Sequence, residues 1–183
     1  VDGVEVERGD LTVEGGSLEA IGFDADIKIN NRTVNAGYGI NCGEHGYSTE
    51  KHKFTINGGK VLIKGTREGG VDAGSFEMTD GELVIERGGL TCETFSLASG
   101  LAAIGGHSST SKDELVHRNG ELQYDYSKWN ELEEGEEPFE RASYVYISKT
   151  SVPDQPTTPD TPITPPERPT PPDNAGSGSS GSS

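Results

Sequence analysis

Apolar and polar positions alternate along most of the first hundred residues, and the alternation recurs in blocks. Five ten-residue stretches align without gaps: LTVEGGSLEA from residue 11, IKINNRTVNA from 27, FTINGGKVLI from 54, FEMTDGELVI from 76 and FSLASGLAAI from 95. The first column reads Leu11, Ile27, Phe54, Phe76, Phe95 and the third Val13, Ile29, Ile56, Met78, Leu97. The eighth reads Leu18, Val34, Val61, Leu83, Ala102 and the tenth Ala20, Ala36, Ile63, Ile85, Ile104. Period-two alternation is the mark of a strand with one buried face. The midpoints Gly15-Gly16, Asn30-Asn31, Gly58-Gly59, Asp80-Gly81 and Ser99-Gly100 tolerate positive φ, so each block predicts strand, tight corner, strand.

A shorter motif, Gly-apolar-x-small, recurs at Gly3, Gly22, Gly39, Gly70 and Gly89 and predicts a third short strand per repeat. Three strands and three corners per turn predict an all-β fold, a right-handed single-stranded parallel β-helix (β-solenoid) of five to six short coils. Stacked coils share a core that none could bury alone. This suits a chain with only 30% hydrophobic residues, against a usual apolar share of roughly 45–50%. In that reading Cys42 and Cys92 are a whole coil apart, too far for a disulfide, and are two buried, inert thiols.

Residues from about 105 to 150 leave the repeat and predict a C-terminal cap, because open coil ends expose unpaired strand edges. Leu115 to Tyr126 reads as a hairpin turning at Asn119-Gly120. Ser143 to Ile147 reads as a further strand, and Lys128 to Glu140 as an acidic, helix-compatible stretch. The β-helix domain with its cap therefore occupies 1–150. Nine of the 10 prolines fall between 153 and 172, and the chain ends NAGSGSSGSS. Residues 151–183 predict a disordered Pro/Thr-rich and Gly/Ser-rich linker to other domains.

The run INGGKVLIKGTREGGVDAGSFEMTDGELVIERGGLTCETFSLASG resembles a bacterial family of carbohydrate-binding β-helix domains, whose repeat has the form D-G-I-x-A … L-x-I-x-G-G-x-V-x-I. ASGLAAIGGH is similar to glycine-rich repeats of Gram-positive surface proteins. The resemblance covers roughly residues 1–105. It implies a secreted or cell-surface protein that binds acidic polysaccharide (polygalacturonate) with calcium. The family's acidic residue ahead of the Gly-apolar pair survives only at Asp2.

Net charge is −16, with 31 acids against 15 bases. Such an excess repels nucleic-acid backbones and anionic lipid, and no apolar run is long enough for membrane insertion as a helix. Asp24, Asn41, Asp72 and Thr91 hold equivalent places in the short motif and are expected to project outward as a vertical ladder. Stacked oxygens could hold sugar hydroxyls or a cation. The candidate metal ligands are Asp2, Asp24, Asp26 and Asp72. The candidate carbohydrate contacts are Asp24, Asn41 and Asp72, with an aromatic platform drawn from Tyr124, Tyr126, Trp129, Tyr144 and Tyr146. The loop Gly43 to Lys53 carries His45 and His52 at a spacing that specifies no site. No P-loop, nucleophile elbow or zinc signature occurs. The expected function is an extracellular, non-catalytic binding module. A structural spacer or adhesin segment and a small polysaccharide lyase or hydrolase are the alternatives.

Overall fold

The computed structural model describes residues 1–43, 52–111, 114–124, 129 and 138–150. Among them the chain is all-β apart from one 3-10 turn, Pro138–Glu140. The strands are β1 Val4–Glu5, β2 Leu11–Val13, β3 Ser17–Ile21, β4 Ile27–Ile29, β5 Arg32–Val34 and β6 Ile40–Cys42. There follow β7 Lys53–Ile56, β8 Lys60–Lys64, β9 Val71–Ala73, β10 Ser75–Met78, β11 Glu82–Arg87 and β12 Leu90–Thr91. The last are β13 Thr94–Leu97, β14 Leu101–Gly106, β15 Leu115–Arg118, β16 Glu121–Tyr124 and β17 Tyr144–Lys149.

The expected single-stranded right-handed parallel β-helix of five to six coils is not what this chain forms. The strands make four separate sheets of two to seven strands, with parallel and antiparallel pairing mixed. Sheet 1 runs β1-β6-β9-β12 and sheet 2 runs β2-β7-β10-β13. Sheet 3 runs β3-β8-β11-β17-β14-β15-β16, and β4-β5 stand alone as sheet 4. Two departures break the expected stack. The block at 27 closes on itself, pairing Ile27 with Val34 and Ile29 with Arg32 antiparallel. Its midpoint residues Asn30 and Asn31 both have positive φ, 51° and 63°, the backbone of a type I′ hairpin turn. The second departure is β17, which inserts between β11 and β14 and runs antiparallel to both.

That insertion also turns the fifth block over. The sequence columns place Ala102 and Ile104 inward, but in β14 Leu101 and Ala103 are buried while Ala102 and Ile104 are only partly so. A one-residue slip exchanges every side chain between faces, and β14 takes its register from β17, with Ala103 opposite Ile147.

Within sheet 2 the pairing is parallel and in register. Leu11, Phe54, Phe76 and Phe95 are successive partners, as are Val13, Ile56, Met78 and Leu97. Phe76 meets Phe54 edge-on with ring centroids 5.6 Å apart and stacks on Phe95, also at 5.6 Å. The corners between sheets 2 and 3 use Gly16, Gly59, Gly81 and Gly100, all at positive φ between 78° and 102°. At Gly59 close approach adds to the conformational demand, because a Cβ would lie 2.6 Å from the Gly16 carbonyl oxygen.

Phe139 and His117 close the end of sheet 2 at Phe95. Phe95 packs against Phe139 at 5.3 Å and edge-on against His117 at 5.2 Å. The β15–β16 turn at Asn119-Gly120 has positive φ at both positions, 53° and 77°, as a two-residue hairpin requires. His117 Nδ1 is buried without a partner among the described residues. Burial pushes the imidazole below its usual pKa.

Phe76→Ala should cost about 3–5 kcal/mol, as large-to-small changes at buried aromatic sites do; urea unfolding checks it. The His117 contribution to stability is present above the unfolded-state value of about 6.5 and is lost as pH falls through the lower folded-state value. His117→Phe should therefore lose less stability than wild type between pH 7.5 and pH 5, measured as the change in urea midpoint.

Candidate functional site

The expected outward ladder is built differently from its sequence reading. Register pairs Glu5 with Asn41, Asn41 with Asp72 and Asp72 with Thr91. Glu5 fills the first rung, and Asp24 lies outside the row because no strand forms at Gly22–Ala25. Asn41 does not project into solvent. It is 2% exposed, its Oδ1 accepts the Gly43 N–H at 3.0 Å, and its Nδ2 donates to Asp2 Oδ2 at 3.4 Å. The other Asp2 oxygen accepts the Tyr38 N–H at 2.5 Å. Asp2 and Asn41 thus tie the chain start to β6.

Asp24 and Asp26 are held by arginines. Asp24 Oδ1 accepts the Arg67 N–H at 3.0 Å, and its Oδ2 pairs with Arg87. The Arg67 amide, with Arg87 beside it, holds the Asp24 carboxyl below the usual carboxylate range. Asp26 Oδ1 lies 2.6 Å from the Arg67 guanidinium and accepts the Ala36 N–H at 3.0 Å. Those two contacts, the guanidinium foremost, lower its pKa too. These bonds fasten sheet 4 and its flanks to the 64–69 turn. Calcium takes six to eight oxygen ligands, and a cation here would have to displace two guanidinium groups. The donor set does not fit one. Among the described residues no group of three or more His, Cys, Asp or Glu side chains is placed to hold a metal ion.

The expected aromatic platform is divided. Tyr124 is 39% exposed on β16. Trp129 is 4% exposed and belongs to the core cluster, its ring stacked on His107 at 4.3 Å. Glu114 Oε2 lies 2.6 Å from His107 Nδ1. A buried indole offers no open face to a ligand. Tyr126 lies outside the described residues, as do His45 and the rest of 44–51.

What the columns did not reveal is the outer face of sheet 3. Pairing lines up Leu62, Val84, Tyr146, Ile104 and Val116 across five successive strands. All five are partly exposed, while their strand neighbours Val61, Leu83, Ile147, Ala103 and Leu115 are buried. Tyr144 lies two residues from Tyr146 on the same face. Partial burial raises its pKa, and Tyr146, Glu86 and Glu82 add to the rise. At the β3 side a depression of about 410 Å³ is lined by Ser17, Glu19, Lys60, Leu62, Glu82 and Val84, with Leu18 and Val61 beneath. The sequence signal was the apolar ninth block position at Leu62 and Val84, where a solvated strand face would carry polar residues. The face is amphipathic, with an aromatic and aliphatic row bordered by carboxylates and lysines.

No family model, no curated protein and no solved structure matches the chain.

Cys42 and Cys92 are both buried and form no disulfide. Burial pushes the Cys42 thiol up to about 12, with the Asp10 and Asp72 carboxylates adding to the effect. The thiolate is the reactive form. Both cysteines should stay unmodified by an aromatic disulfide reagent at pH 8 in the native protein and react fully in denaturant, read by absorbance of the released thiol.

Proposed function

We propose that the protein is a non-catalytic polysaccharide-binding module of a secreted or cell-surface protein, and that the outer face of sheet 3 is its binding surface. The row through Leu62, Val84, Tyr146, Ile104 and Val116 carries the reading. A sugar ring has one face of C–H bonds and a rim of hydroxyls. A tyrosine beside aliphatic side chains matches the first, and Glu82, Glu86 and Lys60 at the border can hydrogen-bond the second. Strands also space such contacts at about 4.8 Å, so several can act along one extended chain. The resemblance of the glycine-rich repeat to carbohydrate-binding surface domains points the same way.

The second reading, a spacer or adhesin segment without sugar affinity, draws on Asp2, Asp24 and Asp26. Their carboxylates serve internal hydrogen bonds and ion pairs. Calorimetric titration against polygalacturonate and a neutral β-glucan, with and without chelator, separates the two. Binding should survive the chelator. Tyr146→Ala should weaken it about tenfold or more, a loss of roughly 1.4 kcal/mol, while Tyr146→Phe keeps most of it. Absence of heat with both polymers leaves the spacer.

A further inference from the structure

We infer, resting on the glycan reading above, that the outer face of sheet 3 takes a neutral, unbranched β-1,4-linked glucan that lies across the strands, about one sugar ring to each. The direction follows from what stands beside each apolar residue along its own strand. Leu62 lies between Lys60 and Lys64, and Val84 between Glu82 and Glu86. Residues two apart on a strand share a face, so along β8 or β11 the apolar surface is one side chain wide.

Across the sheet the apolar surface is continuous, from Leu62 through Val84, Tyr146 and Ile104 to Val116. Five strands spaced by about 4.8 Å make a track about 19 Å long. Over β8 and β11 its charged border stands about 6.6 Å from the centre line, two residues along the strand. A chain of pyranose rings advances by nearly the strand spacing with each unit. Laid along a strand, the same chain would set its rings over charged side chains.

Charge excludes an acidic polymer, because the cations of these strands are already matched. Lys64 Nζ lies 2.7 Å from Glu19 and Lys149 Nζ lies 2.9 Å from Asp80. Arg87 pairs with Asp24. In the strand register Lys60 is opposite Glu82 and Arg118 opposite Glu121, and such cross-strand pairs attract. No other lysine or arginine lies on the seven strands, whereas Glu86 is a further carboxylate. A polyuronate would bring one carboxylate per ring to Glu82 and Glu86, on a chain of net charge −16. A neutral polymer meets no such repulsion.

Ring geometry narrows the choice further. A pyranose with every substituent equatorial presents only axial C–H bonds on its two faces, and β-1,4 linkage keeps successive rings in one ribbon. Such a ribbon sets a C–H face on Tyr146 and its aliphatic neighbours and turns its hydroxyls to the two edges. One edge meets Lys60 and Glu82, the other Lys64, Glu86 and Tyr144, which together donate and accept hydrogen bonds. An axial hydroxyl would lift the ring from the row, and a branch would run into the border.

The test is calorimetry of the full chain with cellobiose through cellohexaose, β-1,4-mannohexaose and hexagalacturonate. Affinity should rise about tenfold or more from cellobiose to cellopentaose and level off there, as about five rings fill the track. Mannohexaose, with its axial hydroxyl, and hexagalacturonate should each bind about tenfold more weakly than cellohexaose. Raising salt from about 50 to about 500 mM should change the cellohexaose affinity less than about twofold, since no net charge is neutralised. Leu62→Asn and Val116→Asn, at opposite ends of the track, should each move the plateau down by about one ring. Hexagalacturonate or mannohexaose binding as tightly as cellohexaose would overturn the inference and leave a glycan-binding face standing. So would an affinity independent of chain length, or a plateau that Val116→Asn does not move. No binding of any oligosaccharide would overturn it together with the glycan reading. The ligand series decides the matter even where a variant does not fold.

Discussion

In-register pairing between equivalent strands of successive repeats is the constraint on which the rest of this molecule depends. Each of β7, β8, β9, β10 and β11 is too short to hold an apolar face away from water by itself. Lateral pairing brings Phe54, Phe76 and Phe95, and likewise Ile56, Met78 and Leu97, into contact. The same register that buries one set of side chains must display the other. The Leu62–Val84–Tyr146 row on the outer face is thus a consequence of the core and not a separate construction. Anything that shifts the ladder by one residue would destroy both.

Glycine and asparagine decide where that ladder can run. Gly16, Gly59 and Gly81 each turn the chain from sheet 2 into sheet 3 with positive φ. Asn30 and Asn31, two such residues in succession, fold their block back on itself and take it out of the stack. The hairpin they create is anchored through Asp26 to Arg67, and Arg67 also bonds Asp24 through its amide. Carboxylates that have the composition of a ligand set act here as internal ties. Each has a nearby donor of opposite or partial positive charge, and a group already engaged in that way has little left for a cation.

Strand β17 and the residues His117, Trp129 and Phe139 are as much a part of the scaffold as a cover for it. β17 enters sheet 3 between β11 and β14 and supplies Tyr146 to the outer row and Val145 and Ile147 to the core. Phe139 and His117 complete the aromatic series begun by Phe54. Trp129 follows the same logic: the indole is drawn into the core cluster, and its ring is lost as a recognition surface.

Local pattern by itself determined that the described residues are built of β-strands, where most short strands of the blocks lie, and which residues of the blocks at 11, 54 and 76 face inward. Those properties reside in period-two alternation and in residues that tolerate positive φ, both visible over five to ten positions. It did not determine which strands are neighbours. The block at 27 carries the same alternation as the others yet forms a hairpin, and β14 presents the face opposite to the one its columns implied. Pairing partners are chosen by contacts between residues far apart in sequence, such as Ala103 with Ile147. Only the folded chain decides them, and with them the outer row of sheet 3.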